Sequence, residues 1–361
     1  MRRVLARVAV LLLVLAVAAP AGAGPGGRGR LTHSSYTQPH GLTRGYLLYV
    51  PAALRPGAPL VVYLHGCNET ATQTADASHF NRIAAQRGFV VAYPQQNVTS
   101  GSSAPLADGN GIGCWNWFLP QDQNRGTGEP AVIAGITEQV TRTQHVDPRR
   151  VYVEGVSAGA DMAVILGATY PDLYSAVAAH SAPEYQAATD IPSALAALTQ
   201  GGPNPVGQGQ QAFAAMGDHA RLMPVLVVQG IKDPRVNPVN GDQVIQQWLE
   251  TNRLATGGMF TRQFATPTTD THFNEATPGG HPYRVRTWTD DHARIIHEYW
   301  TIDGMGHAWS GGYWLGSFAD PRGPNVTRIM YSFFSSTISY FDLKNAVPLA
   351  AMAGDVTVNM S

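Results

Sequence analysis

The sequence predicts an α/β fold built on a mostly parallel central sheet. Short runs rich in Val, Leu and Tyr alternate along the 361-residue chain with stretches of helical periodicity. Such alternation is typical of a parallel sheet covered by helices on both faces. Three long stretches, 95–128, 183–217 and 256–282, are rich in Gly, Pro, Asn and Thr. We expect them to be loop insertions over the strand ends, where ligand pockets of open α/β sheets form.

The individual elements follow from local patterns taken in chain order. Strands are expected at 46–50, 60–64, 89–93, 151–154, 176–179 and 225–229. Helices are expected at 77–87, 131–144, 158–170 and 241–252. A late pair, 284–289 and 295–302, indicates a hairpin or edge strands, and a last helix is expected over about 324–340. We expect these elements to form a single domain over 43–340, between an N-terminal extension at 24–42 and a C-terminal tail at 341–361.

The N-terminus predicts export. Arg2, Arg3 and Arg7 give a positive start, 8–19 is apolar, and Ala-Gly-Ala at 21–23 is typical of a signal-peptidase site. A membrane anchor is the alternative, but an apolar run of about a dozen residues is shorter than the roughly 20 that span a bilayer. We therefore expect a signal peptide at 1–23, cleavage near Ala23, an extracellular mature protein and no membrane span in it.

Charge and cysteine content narrow the class of ligand. The net charge is -1, only 14% of residues are charged, and there are no charge blocks, which argues against a nucleic-acid or anionic-membrane partner. We expect a neutral ligand and a monomer. The two cysteines, Cys67 and Cys114, lie in the exported part, where one disulfide is favoured over two buried thiols. Two cysteines without a nearby histidine pair do not make a zinc site, and no metal or cofactor is expected.

A candidate nucleophile follows the strand at 151–154. The chain runs into Gly155-Val156-Ser157-Ala158-Gly159 and then into a helical pattern. In a strand–turn–helix context, this G-x-S-x-G pattern predicts the strained turn on which an α/β-hydrolase fold presents its serine. The alternative is a plain Gly/Ser turn, since a bare match arises easily in a chain with 38 glycines. The context predicts that Ser157 is the nucleophile.

Serine needs a histidine base, which in turn needs a carboxylate to orient it. In this fold the chain order is Ser, acid, His. Asp233 lies just past the end of a predicted strand, where the acid belongs, although it could be a solvated turn residue. His307 follows another predicted strand on a glycine-rich loop and is the preferred base. The rejected candidates are His272, His281, His292 and His297.

The oxyanion of the tetrahedral intermediate needs two backbone N–H donors. One is expected from Ala158, directly after the nucleophile, and one from Cys67 on the loop after the strand at 60–64. His65 on that loop is interpreted as a structural hydrogen-bonding residue and not as a second base.

Aromatic residues near the second cysteine are candidates for the substrate pocket. A disulfide from Cys67 would attach the oxyanion loop to the segment Trp115-Asn116-Trp117-Phe118. These side chains could form an acyl-pocket wall or could only pack around the disulfide. Trp309, two residues after the predicted base, is a further pocket candidate.

Five ordered motifs together resemble the polyhydroxybutyrate (PHB) depolymerase esterase family. They are Leu-His-Gly-Cys at 64–67, Cys-Trp-Asn-Trp-Phe at 114–118, Gly-Glu-Pro-Ala at 128–131, Gly-Val-Ser-Ala-Gly at 155–159 and Gly-His-Ala-Trp-Ser-Gly-Gly at 306–312. The resemblance runs from about residue 43 to 340, and it extends to feruloyl and acetyl xylan esterases. It implies a triad of Ser157, Asp233 and His307 and a disulfide between Cys67 and Cys114 beside the oxyanion hole.

The expected activity is hydrolysis of a carboxylic ester. The resemblance implies a short-chain polyhydroxyalkanoate such as poly-3-hydroxybutyrate, or its oligomers. Many extracellular members carry a linker and a polymer-binding domain after the catalytic domain, whereas 341–361 is a short tail, so amorphous polyester or smaller esters are expected over crystalline polymer. Feruloylated or acetylated xylan is the closest alternative. An acyltransferase and a non-catalytic surface module are less favoured.

Overall fold

A computed structural model describes residues 29–39, 41–99, 109–275, 277–316 and 318–337. The predicted signal peptide at 1–23 and the C-terminal tail at 341–361 lie outside the described residues.

A ten-stranded sheet runs through the molecule in the order β1-β2-β4-β3-β5-β6-β7-β10-β9-β8. Its strands are β1 (Arg30–Thr37), β2 (Thr43–Val50), β3 (Leu60–Leu64), β4 (Val90–Pro94), β5 (Val151–Val156), β6 (Ala176–His180), β7 (Val225–Gly230), β8 (Thr269–Phe273), β9 (Tyr283–Thr289) and β10 (Ile295–Ile302). From β4 to β10 in this order neighbouring strands are parallel, and the outer strands on each side are antiparallel. A small second sheet pairs β11 (Trp309–Ser310) with β12 (Ala319–Asp320).

Helices cover both faces of the sheet. They are α1 (Ala71–Ser78), α2 (Phe80–Arg87), α3 (Gly128–Thr143), α4 (Ala158–Thr169), α5 (Ile191–Gln200), α6 (Pro205–Met216), α7 (Val239–Ala255) and α8 (Val326–Ser336). One core cluster packs the sheet against α3, α4 and α7, and the other packs it against α1, α2 and α8. Adjacent residues of one strand serve different clusters: Val153 faces the first and Tyr152 the second. Every residue of β3 through β7 is buried, which explains why their sequences are mostly apolar.

Several predicted boundaries were wrong. The N-terminal extension contains β1, which pairs with β2 along its whole length; its mostly polar sequence carries no strand signal. The expected helix at 77–87 is two helices, because His79 adopts a left-handed conformation with φ 59° between them. The late pair forms the expected hairpin, since β9 and β10 are antiparallel neighbours, and only the edge-strand alternative is wrong for β10, which also pairs with β7.

The stretch 183–217 also differs from its prediction as an irregular insertion, because it contains α5 and α6. Capping side chains start both helices: Asp190 accepts a hydrogen bond from the Ser193 N–H, and Asn204 accepts from Val206 and Gly207. Among the described residues, no helix is both long and apolar enough to cross a bilayer.

Candidate active site

Ser157 occupies a sharp turn between β5 and α4. Its backbone has φ 54° and ψ −130°, a strained conformation for a residue other than glycine. The glycines on either side are required by space. A β-carbon on Gly155 would lie 2.3 Å from the carbonyl carbon of Gly159, and one on Gly159 would lie 2.1 Å from the Leu64 carbonyl oxygen. The tight packing of α4 against the strand ends therefore explains the G-x-S-x-G pattern.

Asp233 and His307 are hydrogen-bonded to each other. Asp233 follows β7, His307 follows β10, and these two strands are neighbours in the sheet. Asp233 Oδ2 lies 2.7 Å from His307 Nδ1. Its Oδ1 accepts hydrogen bonds of 2.9 Å from the N–H groups of Arg235 and Val236. Asp233 is only 7% exposed, so it is not a solvated turn residue.

The local electrostatics favour an ionised Asp233. Burial alone would raise its pKa, but the hydrogen bond and charge of His307 and the two backbone N–H groups outweigh burial and lower the pKa below its ordinary value. An ionised carboxylate can only accept hydrogen bonds, so His307 Nδ1 is the donor. In a neutral ring, His307 Nε2 is then a free acceptor, as a general base requires.

The loop after β3 orients the backbone that is predicted to bind the oxyanion. The Gly66 carbonyl oxygen lies 2.8 Å from His65 Nδ1 and also accepts a 3.4 Å hydrogen bond from the Glu69 N–H. His65 Nε2 accepts from the Gln96 N–H at 3.0 Å, which leaves the ring proton on Nδ1. In a trans peptide the next N–H, that of Cys67, points opposite to this carbonyl. His65 is fully buried, and burial lowers its pKa to about 4, so it acts as the expected structural residue.

The second predicted donor, the Ala158 N–H, begins α4. The first N–H groups of a helix have no partner within the helix, and the positive end of the helix dipole favours negative charge at this place. The N–H groups of Ala160 and Asp161, further along the helix, donate hydrogen bonds to the Ser157 carbonyl oxygen. The oxyanion roles of Ala158 and Cys67 remain predictions.

The predicted disulfide between Cys67 and Cys114 is present. It joins the oxyanion loop to the segment that contains Trp115, Asn116 and Trp117. Behind this segment lies the buried Glu129, whose carboxylate accepts hydrogen bonds from the Asn116 N–H at 2.7 Å and from Asn116 Nδ2 at 3.1 Å. The disulfide and Glu129 thus hold the segment in place from two sides.

Ser157 and His307 line one cavity of about 400 Å³. Most of its wall is apolar and comes from α5 and from loops near the disulfide. The other lining residues are Gly66, Cys67, Asn68, Glu69, Asn110, Ile112, Cys114, Trp117, Phe118, Val156, Ile191, Ala194, Leu195, Leu198, Arg235, Val236 and Phe318. A predominantly apolar pocket of this size suits a small neutral ligand.

Of the four predicted pocket residues, Trp117 lines the cavity and three do not. Trp115 is fully buried, and its indole N–H donates to the His65 carbonyl at 3.1 Å. Asn116 turns toward Glu129, as described above. Trp309 is buried against Tyr63 and His180 on the other core cluster. For Trp115 and Asn116 the packing alternative therefore agrees with the structure, whereas the pocket assignment of Trp309 was wrong, because local sequence does not show toward which side a side chain turns.

Sequence reasoning missed the wall supplied by α5 and by Phe318. Leu195 is 60% exposed and Ile191 50% exposed although both are apolar, and their stretch was interpreted as irregular. Phe118, the last aromatic of the segment expected to form an acyl-pocket wall, lines the cavity beside Trp117. Among the described residues, no group of three or more His, Cys, Asp or Glu side chains is arranged to hold a metal ion.

Comparison with known proteins places this site in a family. Residues 44–266 match the family model of the esterase PHB depolymerases. The chain belongs to the PHB depolymerase esterase family. It is 31% identical over 267 residues to poly(3-hydroxyalkanoate) depolymerase C of Paucimonas lemoignei, across 72% of this chain and 57% of the relative. It is 27% identical over 209 residues to acetylxylan esterase A of Aspergillus oryzae, across 56% of this chain and 64% of that protein. The chain thus spans less than two thirds of the length of these two relatives.

Among solved structures, the acetyl xylan esterase from Aspergillus awamori resembles this family member with a TM-score of 0.64 at 20% sequence identity. The likeness covers 84% of this chain and 99% of that one. Together with the sheet order and the helices on both faces, it confirms the predicted α/β-hydrolase fold.

Proposed function

We propose that the protein is a secreted carboxylic ester hydrolase that acts through Ser157, His307 and Asp233. The observation that carries this proposal is the 2.7 Å contact between His307 Nδ1 and Asp233 Oδ2 beside a cavity that Ser157 also lines. A serine on a strained turn, a histidine and a buried carboxylate are the three parts needed for acyl transfer to water.

The proposed reaction proceeds in two halves. His307 Nε2 takes the proton of Ser157 Oγ as the oxygen bonds to the ester carbonyl carbon. The N–H groups of Ala158 and Cys67 bind the oxyanion. Collapse of the intermediate expels the alcohol, which receives its proton from His307, and leaves an acyl-serine. Water then attacks in the same way, and the acid leaves with Ser157 restored.

The preferred substrate is a short-chain hydroxyalkanoate polyester or its oligomers. The apolar wall of Trp117, Phe118, Leu195 and Leu198 suits an aliphatic chain, and the relative with the higher identity given above is a poly(3-hydroxyalkanoate) depolymerase. A second candidate is an acetyl or feruloyl ester of xylan. This candidate is favoured because the Aspergillus oryzae relative and the Aspergillus awamori structure are both acetylxylan esterases.

The test is release of soluble 3-hydroxybutyrate from amorphous poly-3-hydroxybutyrate by purified residues 24–361. Ser157→Ala is the blank, and Ser335→Ala, an exposed serine of α8, is the matched control. The proposal is supported if the wild type and Ser335→Ala release 3-hydroxybutyrate and Ser157→Ala does not. If polymer is untouched but acetylated xylan or methyl ferulate is cleaved, the second candidate replaces the first. If Ser157→Ala cleaves as fast as the wild type, the nucleophile assignment is wrong.

Export is tested separately. Protein recovered from the culture medium of the expressing cells is expected to begin near Gly24 when its N-terminus is sequenced. Retention of 1–23 on protein that stays with the cells contradicts the proposed cleavage.

A further inference from the structure

Glu69 is the one acidic side chain among the described residues that line the cavity. It lies on the loop just before α1 and is 6% exposed. It also lies close to the reacting center. A β-carbon placed on Gly66 would be 2.9 Å from Glu69 Oε2 and 3.4 Å from Ser157 Cβ, so the carboxylate and the nucleophile border the same glycine.

Only one oxygen of the Glu69 carboxylate accepts a hydrogen bond from the described residues. Oε2 accepts a hydrogen bond from the Gly66 N–H at 3.0 Å. Among the described residues, this is the only hydrogen bond that the Glu69 side chain accepts. A buried carboxylate loses much of its hydration and needs further donors to offset that cost. In this cavity a bound substrate can supply one.

The other polar side chains of the cavity are less suited to this task. Asn110 is satisfied internally: its Oδ1 accepts from Ile112 and Cys114, and its Nδ2 donates to the Cys114 carbonyl and to Asn116. Asn68 and Arg235 are exposed, where water competes for them. Glu69 is therefore the acceptor that a substrate donor would meet next to Ser157.

Building on the proposed function, we propose that Glu69 determines specificity by accepting a hydrogen bond from a hydroxyl group of the substrate near the scissile ester. Such a site favours hydroxylated esters over their plain counterparts, because the plain ester leaves a buried acceptor unpaired. The hydroxyl can belong to the acyl part, as at the end of a hydroxyalkanoate chain, or to the alcohol part, as in a polyol or sugar.

Two pairs of esters separate these sources. 4-Nitrophenyl 3-hydroxybutyrate against 4-nitrophenyl butyrate varies the acyl part with a constant leaving group. Glycerol 1-butyrate against propyl butyrate varies the alcohol part with a constant acyl group. The quantity measured is the ratio of kcat/KM within each pair, since a general disturbance of the active site lowers both members and leaves the ratio unchanged.

The variant is Glu69→Gln, which keeps the size of the side chain and an acceptor for the Gly66 N–H. The matched control is Glu184→Gln. Glu184 is also buried, at 3% exposure, and does not line the cavity. We expect the wild type to prefer the hydroxylated ester in at least one pair. We expect Glu69→Gln to reduce that preference about 3- to 10-fold, since hydrogen bonds to charged acceptors are roughly twice as strong as neutral ones. Glu184→Gln should leave it unchanged.

An unchanged ratio in Glu69→Gln, or no preference in the wild type, overturns the inference. If the wild type cleaves none of the four esters while Ser157 resists a fluorophosphonate label, the proposed function fails and this inference fails with it. Labelling of Ser157 in Glu69→Gln and an unchanged melting temperature show that a lost preference does not reflect misfolding.

The pH dependence gives a second readout. Burial raises the pKa of Glu69 to about 7, against smaller opposing effects of the Gly66 N–H and His307. Among the described residues, its charge interacts with those of His307 and Tyr63. Because the carboxylate accepts more strongly than the acid, the wild-type preference should rise as pH increases through about 7. It should be flat in Glu69→Gln, and a parallel rise there contradicts the assignment.

Discussion

Two histidine–aspartate pairs among the described residues are joined by a hydrogen bond, and they are nearly alike in geometry. His307 Nδ1 lies 2.7 Å from Asp233 Oδ2, and His281 Nε2 lies 2.8 Å from Asp320 Oδ2. In both aspartates burial raises the pKa, and hydrogen bonds from backbone N–H groups and from the histidine outweigh it, so that the pKa is lowered. Distance and charge therefore do not distinguish the proposed catalytic pair from the second pair.

The surroundings do distinguish them. His307 lines the cavity together with Ser157 and binds its aspartate through Nδ1, which leaves Nε2 to accept the proton of Ser157 in the proposed reaction. His281 is not among the lining residues and binds through Nε2. Asp320 belongs to β12, which pairs with β11 just after His307. The second pair therefore anchors the loop that carries the first, and a nucleophile and a cavity must accompany such a pair before chemistry is assigned to it.

Replacing each histidine gives the largest expected contrast. His307→Ala should lower kcat/KM for 4-nitrophenyl butyrate by roughly 10⁴-fold or more, because the proton of Ser157 then has no acceptor. His281→Ala should lower kcat/KM by less than about tenfold, because it affects the reaction only through the position of the loop that carries His307. Comparable losses in the two variants, with circular dichroism showing both folded, would break the distinction.

Replacing each aspartate gives a smaller contrast in activity and adds one in stability. Asp233→Asn should reduce kcat about 10²- to 10⁴-fold, because the ring of His307 loses its orienting charge. Asp320→Asn should cost less than about tenfold in kcat and lower the free energy of unfolding by about 1 to 3 kcal/mol, since it weakens a charged hydrogen bond. Urea denaturation beside steady-state kinetics measures both. Inactivation by Asp320→Asn without loss of stability would contradict the anchoring role.

The smallest expected effect is a change with pH in the difference between the unfolding free energies of the wild type and Asp320→Asn. A lowered pKa in the folded state means that ionised Asp320 contributes stability at pH values above the ordinary aspartate pKa. That contribution is lost as pH falls through the lowered folded value. The gap in unfolding free energy between wild type and Asp320→Asn should therefore narrow from pH 6 toward pH 3. A gap that stays constant over this range would show that the charge of Asp320 does not stabilise the fold.

The sequence by itself determined the parallel strands of the central sheet and the positions of Ser157, Asp233 and His307 at their ends. Mostly apolar runs separated by helical periodicity are local properties, and they predicted the positions of all six parallel strands within a few residues, although the parallel pairing of β10 was not expected. The turn at Ser157 could be predicted because steric exclusion requires glycine at positions 155 and 159, and these two glycines are visible in the local sequence. Strand ends gave the positions of Asp233 and His307, since parallel strands present their carboxyl ends at one edge of the sheet.

Only the tertiary structure decided the cavity wall and the sheet edges. Trp115 and Trp117 are two residues apart, yet the first is held in the core by the His65 carbonyl and the second faces the cavity. β1 becomes a strand because β2 pairs with it, and α5 joins the wall although its sequence gave no clear period. Each of these outcomes depends on contacts with residues distant in the chain, and a local pattern records only what the chain prefers before those contacts form.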